Sequence, residues 1–139
     1  MATILISACL AGTACRYDGK SLPHPGVQWL MARHRTVLVC PEQLAGLPTP
    51  RPRHELLDGR VVSEHGDDRT EAFLAGAREA LRIAREHGCR LAVLKARSPS
   101  CGRGRIYDGT FSGKLVDGDG VTARLLLDSG IEVKTDEEL

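Results

Sequence analysis

Short unbroken apolar runs alternate along this chain with amphipathic stretches. Residues 2 to 8, with Ile4, Leu5 and Ile6 in succession and no polar face, predict a central strand covered on both sides. Thr36-Val-Leu-Val-Cys40 and Leu91-Ala-Val-Leu94 repeat the pattern, and Ile131 to Lys134 predicts a last strand. Helical periods lie between them. Pro25 and Gly26 open a helix with Val27, Leu30, Met31 and His34 on one face. The strongest period runs from about Thr70 to His87, with Phe73, Ala77, Ala80, Leu81 and Ala84 on one stripe. Asp68 and Glu71 have capping-box spacing at its start, and Gly88 supplies its stop. A final helix spans about Val121 to Asp128, before Gly130. Strands alternating with helices predict a three-layer α/β fold with a mostly parallel sheet.

The segments between these elements carry turn chemistry. Leu10 to Gly19 is a polar, glycine-containing loop. Pro41 to Arg53 is proline-rich, which predicts a long stiff loop without a regular element. Arg60 to Ser63 predicts a small edge strand, and Ile106 to Phe111 predicts a tight hairpin turning at Asp108-Gly109. Lys95 to Gly104, K-A-R-S-P-S-C-G-R-G, follows a predicted strand with a thiol, two serine hydroxyls and two glycines crowded on a loop shaped by Pro99.

Composition narrows the class. At 139 residues the chain is long enough for one core and shows no repeat or linker, so a single domain over residues 1–139 is expected. The formal net charge is +1 with both signs mixed, which points away from nucleic acid and towards a small-molecule partner. No apolar run approaches the roughly 18 residues of a membrane span, and the first residues do not resemble a secretion signal. A cytoplasmic protein with no membrane partner is expected; in that reducing compartment, five cysteines read as metal-binding or catalytic rather than as disulfides.

Three of those cysteines, Cys9, Cys40 and Cys101, stand at or beyond the carboxyl ends of predicted strands. In a parallel sheet these ends share the edge where open α/β folds bind ligands. Three thiolates suit a soft metal, either iron in an iron-sulfur cluster or zinc, and spacing leaves the two undecided. Each cysteine is also compatible with a small buried apolar role. Glu42, two residues beyond Cys40, is a candidate general base if the turn after Pro41 folds towards the same edge. Ser98 and Ser100 either position a substrate or satisfy loop backbone groups. Cys15, inside a loop, is the weaker candidate for a fourth ligand; Cys89 reads as core, and the five histidines lack ligand spacing.

A different chemistry is compatible with the first loop. A cysteine after the first strand, a small-residue loop and then Arg16 resembles the phosphate-binding loop of low-molecular-weight protein tyrosine phosphatases and related arsenate reductases. The loop here is one residue longer than theirs, and the late Asp-Pro acid of that family is missing.

The motifs taken together carry a more extensive resemblance. S-A-C-L-A-G at 7–12, R-Y-D-G at 16–19, C-P-E-Q-L-A-G-L-P-T-P-R at 40–51, L-K-A-R-S-P-S-C-G at 94–102, I-Y-D-G-T-F-S-G at 106–113 and G-D-G-V-T-A at 118–123 resemble the bacterial family that includes the thiouracil desulfurases. The resemblance covers nearly the whole chain. It implies a Rossmann-like domain with an oxygen-sensitive four-iron, four-sulfur cluster held by Cys9, Cys40 and Cys101. It also implies an open iron for the sulfur of a thiolated base such as 2-thiouracil, with Glu42 as acid-base residue and Ser100 assisting beside the cluster. The net change would be hydrolytic. The chain departs from the family's usual Pro-x-Ala-Glu with Pro52-Arg53-His54-Glu55, which places an imidazole in that loop. A non-catalytic metal- or cluster-binding module using the same thiols is the remaining alternative.

Overall fold

The computed structural model describes residues 3–139; Ala2, the first residue of the expected leading strand, lies outside them. Strand β1 (Thr3–Ser7) is followed by a 3-10 turn over Ala8–Ala11, helix α1 (Pro25–Arg33) and β2 (Arg35–Val39). A single helical turn, α2 (Pro41–Leu44), precedes the hairpin of β3 (His54–Leu57) and β4 (Arg60–Ser63). The long helix α3 (Thr70–Glu86) leads to β5 (Leu91–Leu94) and a second hairpin, β6 (Arg105–Tyr107) with β7 (Leu115–Asp117). Helix α4 (Val121–Asp128), β8 (Glu132–Thr135) and a 3-10 turn at Asp136–Glu138 close the chain.

Four strands form one parallel sheet in the order β2-β1-β5-β8. Side chains alternate across it, as the period of a strand requires. Leu5, Ala92, Leu94 and Val133 pack with Leu81, Ala84, Ala123 and Leu126 of α3 and α4. Ile4, Ile6 and Val93 face the other way, onto Val27, Leu30 and Met31 of α1. The sheet is thus sandwiched between helices, which explains why its central strands read as continuous apolar runs.

The ends of α3 follow local chemistry. Asp68 Oδ1 accepts from the backbone N–H and the hydroxyl of Thr70, at 2.9 and 2.6 Å. Gly88, at φ +66°, lets the Cys89 amide turn back to the Ala84 carbonyl at 2.8 Å, a glycine-ended helix stop.

Four local expectations change. The Asp68–Glu71 capping box does not form: Arg69 is the residue flanking α3, it makes no side-chain cap, and Asp68 turns to Thr70 instead. The first strand ends at Ser7, and Cys9 sits in the 3-10 turn beyond it. The proline-rich segment contains the helical turn α2, because Pro41 occupies the first helical position, where its fixed φ helps and its missing N–H costs nothing. The tight Asp-Gly hairpin occurs at Asp58-Gly59, both with positive φ, and joins β3 to β4. At Asp108-Gly109 the chain instead makes a wide loop before β7. There, Asp108 Oδ1 caps the Thr110 amide at 2.9 Å, and Glu55 accepts from the amides of Gly109 and Phe111 at 3.0 and 3.1 Å. A buried carboxylate thus pulls that loop onto β3 and overrides the hairpin preference.

A candidate thiol-lined active site

The carboxyl edge of the parallel sheet opens into a cavity of about 540 Å³. Cys9, Cys15, Cys40 and Cys101 all line it, together with Glu42 and Ser100. The sheet order explains the meeting: β2, β1 and β5 are neighbours, so cysteines far apart in sequence end side by side.

The loop carrying Cys101 is tied down at several points. Ser98 Oγ accepts from the amides of Ser100 and Cys101 at 3.1 and 2.9 Å, so this serine satisfies loop backbone. The loop's start is held by Ser7 Oγ, which accepts from the Lys95 amide at 2.9 Å, and by Asp136 Oδ1, which accepts from the Ala96 amide at 2.7 Å. Its far side meets the start of α4, where the Thr122 amide donates to the Ser100 carbonyl at 2.8 Å. Gly120 approaches the Ser100 backbone so closely that a Cβ there would lie 2.5 Å from the carbonyl carbon.

All five cysteines are free thiols. Burial pushes the Cys101 thiol up to about 12, against hydrogen bonds from Ser7 and Ser100 that pull it down. The hydrogen bond with Cys15, then burial, raises Cys40 as well. For Cys15 the contact with Cys40 lowers its value, while the contact with Cys9 and burial raise it, leaving about 11. In the metal-free protein these three thiols therefore hold their protons at neutral pH, and a soft cation entering the site must release them.

Cys15, expected inside a loop as the weaker candidate for a fourth ligand, lies at the site itself. It is buried, touches both Cys9 and Cys40 through sulfur, and its carbonyl accepts the Cys40 thiol at 3.7 Å. Cys89 lies in the core against α3 and α4, as expected. Of the histidines, His54 lines the cavity, with its ring 5.2 Å from that of Phe73.

Glu42, the second residue of α2, reaches the same cavity, and its Oε2 accepts from Arg51 Nε at 2.5 Å. Arg51 was visible in the sequence only as part of the P-T-P-R motif; its side chain is 3% exposed. Its guanidinium also donates to the carbonyl of Cys15 at 2.9 Å, to Thr49 Oγ1 at 3.0 Å and to the carbonyl of Pro48 at 3.3 Å. Ser100 is 1% exposed; its hydroxyl pairs with Thr122 Oγ1 at 2.7 Å and also bonds the Cys101 thiol.

This donor set discriminates among the chemistries left open. Among the described residues, no three Cys, His, Asp or Glu side chains converge closely enough to hold one metal ion. Cysteines brought to one cavity from three separate elements suit a cluster, which engages each through a different iron. A phosphate loop is not formed after β1. The amides of Gly12, Thr13 and Cys15 donate to the carbonyls of Cys9, Ala8 and Thr13, and no helix begins until Pro25. Neither the inward amides nor a helix N-terminus is available there to cradle an oxyanion.

Comparison with known proteins agrees with this geometry. The family model described as 2-thiouracil desulfurase matches residues 4–138. The chain is 40% identical over 146 residues to the uncharacterized protein YbbK of Bacillus subtilis (strain 168), a match covering 98% of this chain and 97% of that protein. It is also similar to the solved structure of the 4Fe-4S-dependent thiouracil desulfidase TudS. The TM-score is 0.94 at 44% identity, and the match covers 100% of this chain and 93% of that one.

Proposed function

The chain belongs to the 2-thiouracil desulfurase family, and from that premise we propose that it is a cluster-dependent enzyme that hydrolytically removes sulfur from thiolated pyrimidines such as 2-thiouracil. Water replaces sulfur at the thiocarbonyl carbon, giving the oxo base and hydrosulfide. The observation that carries the reading is the meeting of Cys9, Cys40 and Cys101 with the Glu42 carboxylate around one cavity.

In this reading Cys9, Cys40 and Cys101 hold a four-iron, four-sulfur cluster. When bound, the cluster supplies a Lewis-acidic iron that can take the substrate's sulfur and polarise the thiocarbonyl carbon. Glu42 is the acid-base residue: its carboxylate takes a proton from the attacking water and returns one as sulfur departs. Ser100 assists by position, its buried hydroxyl holding the Cys101 thiol and locking that loop to Thr122. Tyr107 and Gly113, from the β6–β7 hairpin, wall the cavity. Cys15 packs between two proposed ligands without being needed as a third or fourth one.

Its substrate is a small thiolated base; nucleic acid and membranes are not partners. No helix among the described residues is long and apolar enough to cross a membrane. Five unpaired cysteines suit a reducing cytoplasm, where we place the protein as a single domain over residues 1–139.

The test is iron and acid-labile sulfide content after anaerobic reconstitution, with uracil and sulfide release from 2-thiouracil followed on the same samples. The parent should carry about four of each per chain and turn over. Cys9→Ala, Cys40→Ala and Cys101→Ala should lose the cluster, and Glu42→Gln should keep it while losing turnover. A parent without iron, or Cys variants with parental iron, would sink the assignment.

A further inference from the structure

We propose that Arg51 is the positioning residue for Glu42, holding Oε2 so that Oε1 is presented to the cavity. The inference rests on the acid-base role given to Glu42 above. Helix α2 follows β2 after Cys40 alone and packs against Gly76 of α3, which fixes its backbone but leaves the Glu42 side chain its choice of rotamers. The guanidinium supplies what the helix lacks. It takes only Oε2 of the carboxylate, and Oε1 has no protein hydrogen bond among the described residues.

Arg51 is itself fixed. Three of its four other guanidinium N–H groups go to the Cys15 carbonyl, Thr49 Oγ1 and the Pro48 carbonyl, and its own amide donates to the Tyr17 carbonyl at 2.8 Å. A planar fork with its charge buried and four oxygens around it has one orientation. The contact to Cys15 has a second effect. In the metal-free protein that carbonyl also accepts the Cys40 thiol, a bond that goes when Cys40 gives up its proton, whereas the Arg51 contact stays and keeps the Cys15 loop in place beside Glu42. Lysine, with a single point of charge, cannot reach the same set of acceptors.

The other cations of the cavity are differently engaged. Lys95 lies 3.6 Å from Asp136, Arg53 is paired with Glu64, Arg97 is paired with Glu137, and Arg16 lies over the Tyr17 ring at 5.9 Å. None of them holds Glu42.

The test uses anaerobically reconstituted Arg51→Ala, Arg51→Lys and Glu42→Gln proteins, with kcat and KM for 2-thiouracil, iron and sulfide content, and the visible spectrum. Misplacing a proton-transfer group by about 1 Å can cost about a hundredfold in rate. Arg51→Ala should therefore keep the cluster and a KM within about threefold of the parent, and lose about a hundredfold in kcat. Arg51→Lys should lose about tenfold. Millimolar guanidinium should restore about tenfold in Arg51→Ala and nothing in Glu42→Gln. Removing Arg51 on top of Glu42→Gln should cost nothing further. Parental kcat in Arg51→Ala, or an undiminished loss in the Glu42→Gln background, would overturn the proposal. If Arg51→Ala does not load its cluster, parental kcat in Arg51→Lys overturns it equally, and a tenfold loss with full iron supports it. A loaded parent that leaves 2-thiouracil intact would instead strike at the assigned activity.

Discussion

The hydroxyls of Ser100 and Thr122 face each other at 2.7 Å, with Ser100 1% and Thr122 0% exposed. One belongs to the loop of a proposed cluster ligand and the other to the first turn of α4, so this contact couples site to scaffold. Thr122→Val leaves the Ser100 hydroxyl buried without its partner and should cost about 1–3 kcal/mol. The double variant Ser100→Ala, Thr122→Val should cost less than the sum of the singles. Urea denaturation measures both; strictly additive losses would mean the pair is not coupled.

Gly120 makes a sharper version of the same point. A methyl group there would meet the Ser100 carbonyl carbon and oxygen at 2.5 Å and the Cys101 nitrogen at 2.8 Å, all backbone atoms that cannot rotate away. Gly120→Ala should therefore displace the Cys101 loop, lowering stability by about 1–3 kcal/mol and reducing iron loading. Gly12→Ala, which has open space around its Cβ but a φ of +108°, gives a comparison in which strain is local and the Cys101 loop is undisturbed. Full iron content in Gly120→Ala would show that the loop tolerates the shift.

His54 gives a pH dependence with a defined sign. Burial lowers its pKa below the ordinary 6.5, so the folded state favours the neutral ring. Above about pH 6.5 the ring is neutral in both states and its contribution is complete. As the pH falls below that value the unfolded chain binds a proton that the folded chain refuses, and stability declines until the folded ring titrates too. Between about pH 8 and about pH 5 the parent should lose more stability than His54→Gln. Equal losses would remove His54 from the account.

Glu55 is a buried carboxylate on the cavity whose Oε1 takes two amides of the loop between β6 and β7. Glu55→Ala should free the Gly109 and Phe111 amides, raising their hydrogen-exchange rates by about tenfold or more while the β5 amides stay protected. Unchanged exchange at both positions would show that the loop is held by other means.

Much of this was readable in the chain, and for identifiable reasons. Continuous apolar runs identified the parallel strands, the stripe from Phe73 to Ala84 identified α3, and cysteines following three of those runs placed the thiols on one edge. What escaped was long-range. Nothing local in Pro-Thr-Pro-Arg says that Arg51 reaches back nine positions to Glu42, and nothing near Asp108-Gly109 says that Glu55, 54 residues earlier, holds its backbone. Cys15 was weighed as a candidate, but its contacts with Cys9 and Cys40 were not legible, because a loop's path depends on what receives it. Here the Arg16 amide donates to the Lys20 carbonyl, and Arg51 seizes the Cys15 carbonyl.

The sheet order also dictates when the site can come into being. A zinc finger gathers its ligands from one short stretch and can load metal as that stretch emerges. In this chain the thiol from β5 joins those from β1 and β2 only after β5 has slid in beside β1, and α4, which braces the Cys101 loop, is made later still. A growing chain on the ribosome thus offers two of the proposed ligands well before the third. A site assembled from three distant stretches is complete only when the sheet edge is complete, so the full set of proposed ligands belongs to the folded protein and to no short peptide within it.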